Sequence, residues 1–414
     1  MGQLAIHGGK PVRPASAQWP QWPVCDDDDI DRLVHIARSG AWASTGSLKW
    51  TFAQAFTRYQ GAKYGLCCAN GTSALQLALE ALDIGAYDEV IVPGMTWPAT
   101  ASACLDINAV PILVDVEPDT WCLDVDAAEA AITDRTKAII VVHLYGCMPD
   151  LGRLARLCRK YGVYLIEDCA HQHGSFWEGR GVGTFGDVGC FSFQESKVLT
   201  CGEGGFTMCK TRRLFERLYS LHTCGRGYNE DLTHAVQSGN YRITEWQAGI
   251  LLGGLKKLDR QVRLRERNAK YLDAQLGQIC GILPMHRRPQ TTQQSYFCYG
   301  FRLDAEVFGD VSNERFCSAL NAELNLAEGF GAPYEPLNNC WLYKPHTKRR
   351  YHLTPRHRKA IEPSRFSLPV CTEAYERSGV IIHHSALMGG RRDLNDIIAA
   401  VAKVVENLAE LRPS

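Results

Sequence analysis

Residues 137–170 read KAIIVVHLYGCMPDLGRLARLCRKYGVYLIEDCA, two short apolar runs on either side of an amphipathic stretch. Val and Ile dominate the runs, which hardly alternate, as expected for strands covered on both faces. DLGRLARLCRKYG spaces its leucines three and four apart, the pattern of a helix with one apolar face. Strand, helix and strand in that order predict a βα unit and a parallel sheet. The same alternation extends outward. YGLCCA leads into GTSALQLALEAL, EVIVP into ATASACLDI, and VPILVDV into DVDAAEAAI. The fold class is therefore α/β with a mainly parallel sheet.

Residues Thr244 to Leu276 form a long helical pattern able to bridge two lobes. Beyond it SYFCYGFRL reads as a strand, while ERFCSALNAEL and LNDIIAAVAKVVENLAEL read as helices. These elements predict a large domain over 1–260 with an N-terminal arm, and a smaller α+β domain over 261–414. The basic stretch KPHTKRRYHLTPRHRK between them reads as a solvated flap.

Composition narrows the function. The 414 residues carry 45 Lys plus Arg and 45 Asp plus Glu, so no net field attracts nucleic acid. No apolar stretch reaches the length of a membrane span, and MGQLAIHGGK lacks the apolar core of a signal peptide. Seventeen cysteines, an odd number with no CxxC pair, fit reduced thiols in a cytosol, most of them acting as small buried hydrophobes. GVGTFG (181–186) has dinucleotide-fingerprint spacing but precedes a strand-like segment instead of opening a helix, so it reads as a hairpin loop. The His171/His173 and His383/His384 pairs lack Cys or carboxylate partners at ligand spacing, so no metal site is expected.

Three features point to chemistry. ANGTSALQLAL (69–79) turns from strand to helix through Asn70, Gly71, Thr72 and Ser73, which is either a helix cap or a phosphate seat. Asp168 ends an apolar strand, where an acid either caps the next helix or faces a buried cation. FSFQESKVLTCGEGG (191–205) sets Ser192 and then a single lysine, Lys197, on a glycine-bound turn. Alone, that lysine reads as a surface residue on a hairpin. Together the three describe a pyridoxal phosphate (PLP) site, in which a lysine links to the cofactor and an acid pairs with its ring nitrogen. Burial would lower the ammonium pKa in the required direction.

SFQESKVLTCGEGG, EDCAHQHGS, ANGTSALQLAL, VPGMTWPATA, VVHLYG and GNYRITEWQAGIL resemble the DegT/StrS group of PLP-dependent sugar and aminocyclitol aminotransferases, in order and over essentially the whole chain. The resemblance implies the type I aminotransferase fold. It also implies that Lys197 carries the covalent link and Asp168 the ring nitrogen. Trp97 would lie over the ring, and Gly71, Thr72, Ser73 and Ser192 around the phosphate. Asn240 would reach the phosphate from a second copy, making a homodimer with shared sites. His171 and His173 would lie beside the ring, one of them where many relatives have glutamine. Tyr334 and His384 would be acceptor-side contacts. SKVLTCGEGG and VIIHHSALM resemble, within the group, glutamine-dependent enzymes aminating scyllo-inosose or its 2-deoxy relative in aminoglycoside biosynthesis. The alternatives are an aminotransferase of nucleotide-linked keto sugars, a non-catalytic PLP-binding regulator and, more remotely, an NAD enzyme. Some members of the group lack the lysine and act as dehydratases, a reading that Lys197 disfavours.

Overall fold

A computed structural model of the chain describes residues 2–43, 45–326, 329–348 and 354–412. Its central sheet has seven strands, β1 (Tyr64–Cys68), β2 (Glu89–Pro93), β3 (Val110–Val114), β4 (Thr136–Val142), β5 (Tyr164–Asp168), β6 (Val188–Ser192) and β7 (Gly205–Cys209). Their spatial order is β1-β7-β6-β5-β4-β2-β3. Every neighbouring pair from β6 to β3 is parallel, and β7 alone runs against both its neighbours. Strands β2, β3 and β6 are buried at every position, as continuous apolar runs require. One edge of the sheet therefore collects the ends of β1, β5 and β6, at Cys68, Asp168 and Ser192. The segment joining β6 to β7 carries Lys197 along that same edge.

Helices follow the strands as the periodicity predicts. Helix α1 (Gly71–Ala81) is capped by Asn70, whose side chain accepts the Ser73 N–H at 2.8 Å. Helix α2 (Leu151–Tyr161) starts on Asp150, which accepts the Arg153 N–H, and buries Leu154 and Leu157. The long helix α3 (Glu245–Leu276) opens with the Thr244 N–H and hydroxyl both donating to Gln247 Oε1, at 2.7 and 2.9 Å. Its first half buries Leu251, Leu258 and Val262 beside Phe52, Phe193 and Phe206. Its second half buries Ala269, Leu272 and Leu276 in a separate apolar cluster. That cluster is built on an antiparallel sheet of β8 (Ile282–Pro284), β9 (Cys298–Leu303) and β10 (Gly379–His383), covered by α4 (Arg391–Glu406). Among the described residues no helix is long and apolar enough to cross a membrane.

The basic stretch is largely exposed, as expected of a solvated flap: Lys344, Lys348, Arg356, Arg358 and Lys359 face solvent, Pro345 and His357 are buried, Lys348 pairs with Asp106, and 349–353 lie outside the described residues. An N-terminal arm, featureless in periodicity, is tied to the C-terminal lobe. Glu323 accepts the Ala5 and Val12 N–H groups at 2.8 and 3.1 Å and pairs with Lys403 at 2.8 Å. Arg13 pairs with Asp393 and Asp396 and lies over the Trp19 ring.

GVGTFG is a loop, and it wraps a protein carboxylate. Arg180–Gly181 pairs with Phe176–Trp177 as a hairpin. The N–H groups of Gly183, Phe185 and Gly186 then donate to the Glu167 carboxylate at 2.9, 2.7 and 2.7 Å, and His143 Nε2 adds a fourth hydrogen bond at 3.0 Å. His143, Glu167 and Cys169 hold ligand-type atoms within 4.8 Å of one another, but these bonds already engage both oxygens of Glu167. Burial opposes the charge of Glu167, yet His143 and the loop N–H groups hold its pKa below the ordinary value. A depressed pKa contributes stability above the unfolded value, and that contribution is lost as pH falls through the folded value. Glu167→Gln should therefore destabilise the fold by about 3 kcal/mol at neutral pH. In urea unfolding the gap from wild type should narrow below about pH 4. Equal midpoints at pH 7 would contradict this account.

Candidate active site

At the carboxyl edge of the sheet lies a cavity of about 590 Å³. Gly71, Thr72, Trp97, Asp168, His171, Ser192, Lys197 and Tyr334 all line it, so eight of the residues singled out from sequence share one space.

The floor is set by backbone contact. A Cβ on Gly71 would lie 2.7 Å from Ser192 Cβ, so only glycine lets the start of α1 close against the end of β6. A Cβ on Gly205 would meet the Asn70 carbonyl oxygen at 2.2 Å, which draws the GEGG segment under the same turn. A helix start and a serine hydroxyl are thereby placed side by side. Backbone N–H groups there have no partner within the helix, and the helix dipole favours an anion.

Asp168 and Lys197 supply the charges. Asp168 is buried, and its carboxylate accepts from the Ala170 N–H at 3.1 Å and the Thr100 hydroxyl at 3.0 Å. Burial pushes its pKa up, while those two bonds and the Lys197 charge oppose the rise. An anion whose hydrogen-bond partners are both neutral is suited to a cationic group entering the cavity. Lys197 is partly exposed, with Nζ 3.9 Å from the centre of the Phe297 ring. Burial lowers its pKa to about 8, and the nearby Asp168 and Cys298 pull the other way. About a tenth of this amine is unprotonated near neutral pH, far more than for an ordinary lysine, and can act as a nucleophile or base.

Aromatic groups wall the cavity. His171 stacks on Phe297, with centroids 4.0 Å apart, and its Nδ1 accepts the Tyr145 N–H at 3.1 Å. That bond leaves the ring proton on Nε2, 3.5 Å from the Tyr334 hydroxyl. Burial, with Lys197 nearby, holds the His171 pKa well below its usual value, so the ring is neutral. Trp97 is half exposed, with its ring 5.8 Å from that of Tyr334.

Four expected site residues lie elsewhere. Ser73 does not line the cavity, and its backbone N–H caps α1 on the Asn70 side chain. His173 is packed among Phe56, Phe191 and Phe193, with Nε2 on the Ser192 carbonyl at 2.8 Å, so it supports the floor from behind instead of lying in the cavity. His384 is buried beneath the lysine turn, 2.9 Å from the Ser196 carbonyl, so a direct acceptor contact gives way to a supporting position. Asn240 is exposed, outside this chain's own cavity.

Thr100, Phe297, Gln194 and Glu203 also border the cavity and were not anticipated. Thr100 had a signal, since TWPATASA places a hydroxyl at the start of the helix that follows β2. Phe297 had none, because its approach to Lys197 spans a hundred residues of chain.

The DegT/DnrJ/EryC1/StrS aminotransferase family model matches residues 23–377. The chain is 42% identical over 425 residues to an L-glutamine:2-deoxy-scyllo-inosose aminotransferase of Streptoalloteichus tenebrarius, with 99% of each covered. Its structure is similar to that of 3-amino-5-hydroxybenzoic acid synthase, with a TM-score of 0.82 at 30% identity, covering 94% of this chain and 99% of that one. It shares its fold with the PLP form of Spr1654 from Streptococcus pneumoniae, with a TM-score of 0.78 at 24% identity, covering 95% and 99%. A parallel sheet with one reversed strand, a lysine and an aspartate facing one cavity, and similarity along nearly the whole length agree: the chain belongs to the DegT/DnrJ/EryC1/StrS aminotransferase family.

Proposed function

We propose that this aminotransferase binds PLP and moves an amino group from glutamine to a free keto-cyclitol, scyllo-inosose or its 2-deoxy relative. The observation that carries the reading is the opposition of Lys197 and Asp168 in one cavity whose floor is an anion seat. Full-length similarity to an enzyme named for glutamine and 2-deoxy-scyllo-inosose supports the choice of substrates. Lys197 is also the one cation lining the cavity among the described residues, which suits an uncharged polyol better than a nucleotide diphosphate.

The residues present fit the cofactor. Asp168 would pair with its ring nitrogen, Gly71, Thr72 and Ser192 would hold the phosphate, and Trp97 and His171 would flank the ring. When bound, PLP supplies a carbon that captures amines and a ring that delocalises the electrons left when a proton departs. Lys197 would form the covalent anchor, and its free amine would hold the proton taken from the donor's α-carbon. Its low pKa lets it do so near neutrality. Phe297 covers one side of that amine, and neutral His171 avoids placing a second positive charge beside it.

We extend the proposal to the assembly. Exposed Asn240 would complete the phosphate seat of a second copy, giving a homodimer with shared sites. Residues 1–260 would form the large domain and 261–414 the small one, supported by the separate apolar cluster around β8, β9 and β10. A reducing cytosol suits seventeen free cysteines.

Purified protein supplied with PLP, glutamine and either scyllo-inosose or a nucleotide-linked keto sugar tests the reading by mass spectrometry. Amination of the free cyclitol is expected. Amination of the nucleotide-linked sugar alone would overturn it. Gly71→Ala should lower the melting temperature, because its Cβ would meet Ser192 Cβ at 2.7 Å and the buried end of β6 must shift, and should weaken PLP binding about tenfold. Equilibrium dialysis reads that loss, and an unaltered affinity would refute the seat.

A further inference from the structure

The peptide carrying Lys197 is held by side chains from three distant parts of the chain. The Ser196 carbonyl accepts two imidazole donors, His383 Nε2 at 3.0 Å and His384 Nε2 at 2.9 Å. The Lys197 carbonyl accepts Trp22 Nε1 at 3.2 Å, from the N-terminal arm. Both ring tautomers are fixed from behind. Arg265 Nε, which can only donate, reaches His384 Nδ1 at 3.2 Å. Ser385 N–H donates to His383 Nδ1 at 3.4 Å. Each ring therefore keeps its proton on Nε2, toward Ser196, and together the two rings fill both lone pairs of that carbonyl.

Arg265 is the unusual member. It is fully buried, its Nη1 and Nη2 have no hydrogen-bond partner among the described residues, and burial lowers its pKa to about 9. Its guanidinium lies 4.9 Å from the centre of the Trp22 ring, and Trp22 meets His384 edge-on at 4.7 Å. Burying a guanidinium costs several kcal/mol unless something specific is gained. Here its one hydrogen bond is spent on orienting His384.

We propose that Arg265, His384, His383 and Trp22 are positioning residues that clamp the Ser196–Lys197 peptide, so that the lysine amine stays in its water-poor place against Phe297. The clamp draws on the arm, on α3 and on the end of β10, and none of its four members lines the cavity. The proposal rests on Lys197 being the working amine. It does not depend on which acceptor is used, and its test reads the amine directly.

The test is trace acetylation of the full chain, freed of cofactor, between pH 6 and 11. Peptide mass spectrometry follows Lys197 and uses other lysines as internal references. The titratable groups that act on Lys197 or feel its charge are Asp168, Cys298, His171, His173, His383 and His384. The wild-type midpoint is expected near 8. His384→Ala removes one of the two donors to the Ser196 carbonyl and opens space through which water reaches the amine, so its midpoint should rise by about one unit or more toward the ordinary lysine value. His384→Gln keeps a donor toward Ser196 and should restore most of the shift. Trp22→Phe keeps the ring but loses the N–H, and should give a smaller rise. Circular dichroism checks folding, and if His384→Ala does not fold, Trp22→Phe decides alone. A midpoint that stays at the wild-type value in every folded variant overturns the clamp. So does a rise in His384→Ala that His384→Gln fails to reverse, because simple loosening of the fold would produce that pattern.

Discussion

Lys197→Ala is expected to lower amino transfer from glutamine to scyllo-inosose by about 10⁴-fold or more, the upper range for loss of a positioned acid/base that is also the covalent anchor. No other side chain in the cavity is placed to substitute. His171 is neutral but has its pKa held far below neutrality, which makes it a weak base, and its Nδ1 is already occupied by the Tyr145 N–H. Asp168 is engaged with Thr100 and Ala170. Removing the lysine side chain also leaves space beside Phe297, so added ethylamine should restore part of the rate in proportion to its free-base concentration. Steady-state assays of aminocyclitol formation provide the measurement. A variant within tenfold of wild type would end the assignment of Lys197.

Asp168→Asn is the second large effect, and it should appear in both cofactor affinity and turnover. Two unit charges about 4 Å apart at an effective dielectric of about 20 attract by about 4 kcal/mol, equivalent to about 10³-fold. Asparagine retains the shape and an oxygen for the Ala170 N–H but loses the charge that would face the ring nitrogen of bound PLP. Equilibrium dialysis with PLP and single-turnover assays with glutamine separate weaker binding from slower chemistry. Undiminished values in both would mean that the charge of Asp168 has no part in the reaction.

The strands were legible because burial on both faces leaves uninterrupted runs such as EVIVP and VPILV, which match β2 and β3 closely. Helix α3 was equally plain, since its apolar spacing persists over nine turns and its start carries a Thr–Gln capping pair. The lysine turn announced itself through its glycines. Groups that act across long sequence separations were invisible. Phe297 reaches Lys197 only because its N–H is tied to the Tyr145 carbonyl in the loop after β4, and Trp22 reaches the lysine peptide only because the arm is anchored elsewhere. His173 and His384 show the complementary error. Motif position placed them in the cavity, and they lie just behind its wall, because a sequence does not reveal which side of a backbone an imidazole occupies. GVGTFG illustrates how little a spacing means without its flanks: its free N–H groups do bind an anion, but the anion is the chain's own Glu167.

The fastened arm has a practical bearing on how the protein is handled. Residues 5 and 12 hang from Glu323, Arg13 is locked to α4, and Trp22 a little farther along touches the lysine peptide. An affinity tag or immobilising tether joined to that end pulls on the same strap that steadies the reactive amine. An attachment in the exposed turn around Asn229 and Glu230 would leave the strap slack-free and the catalyst unburdened.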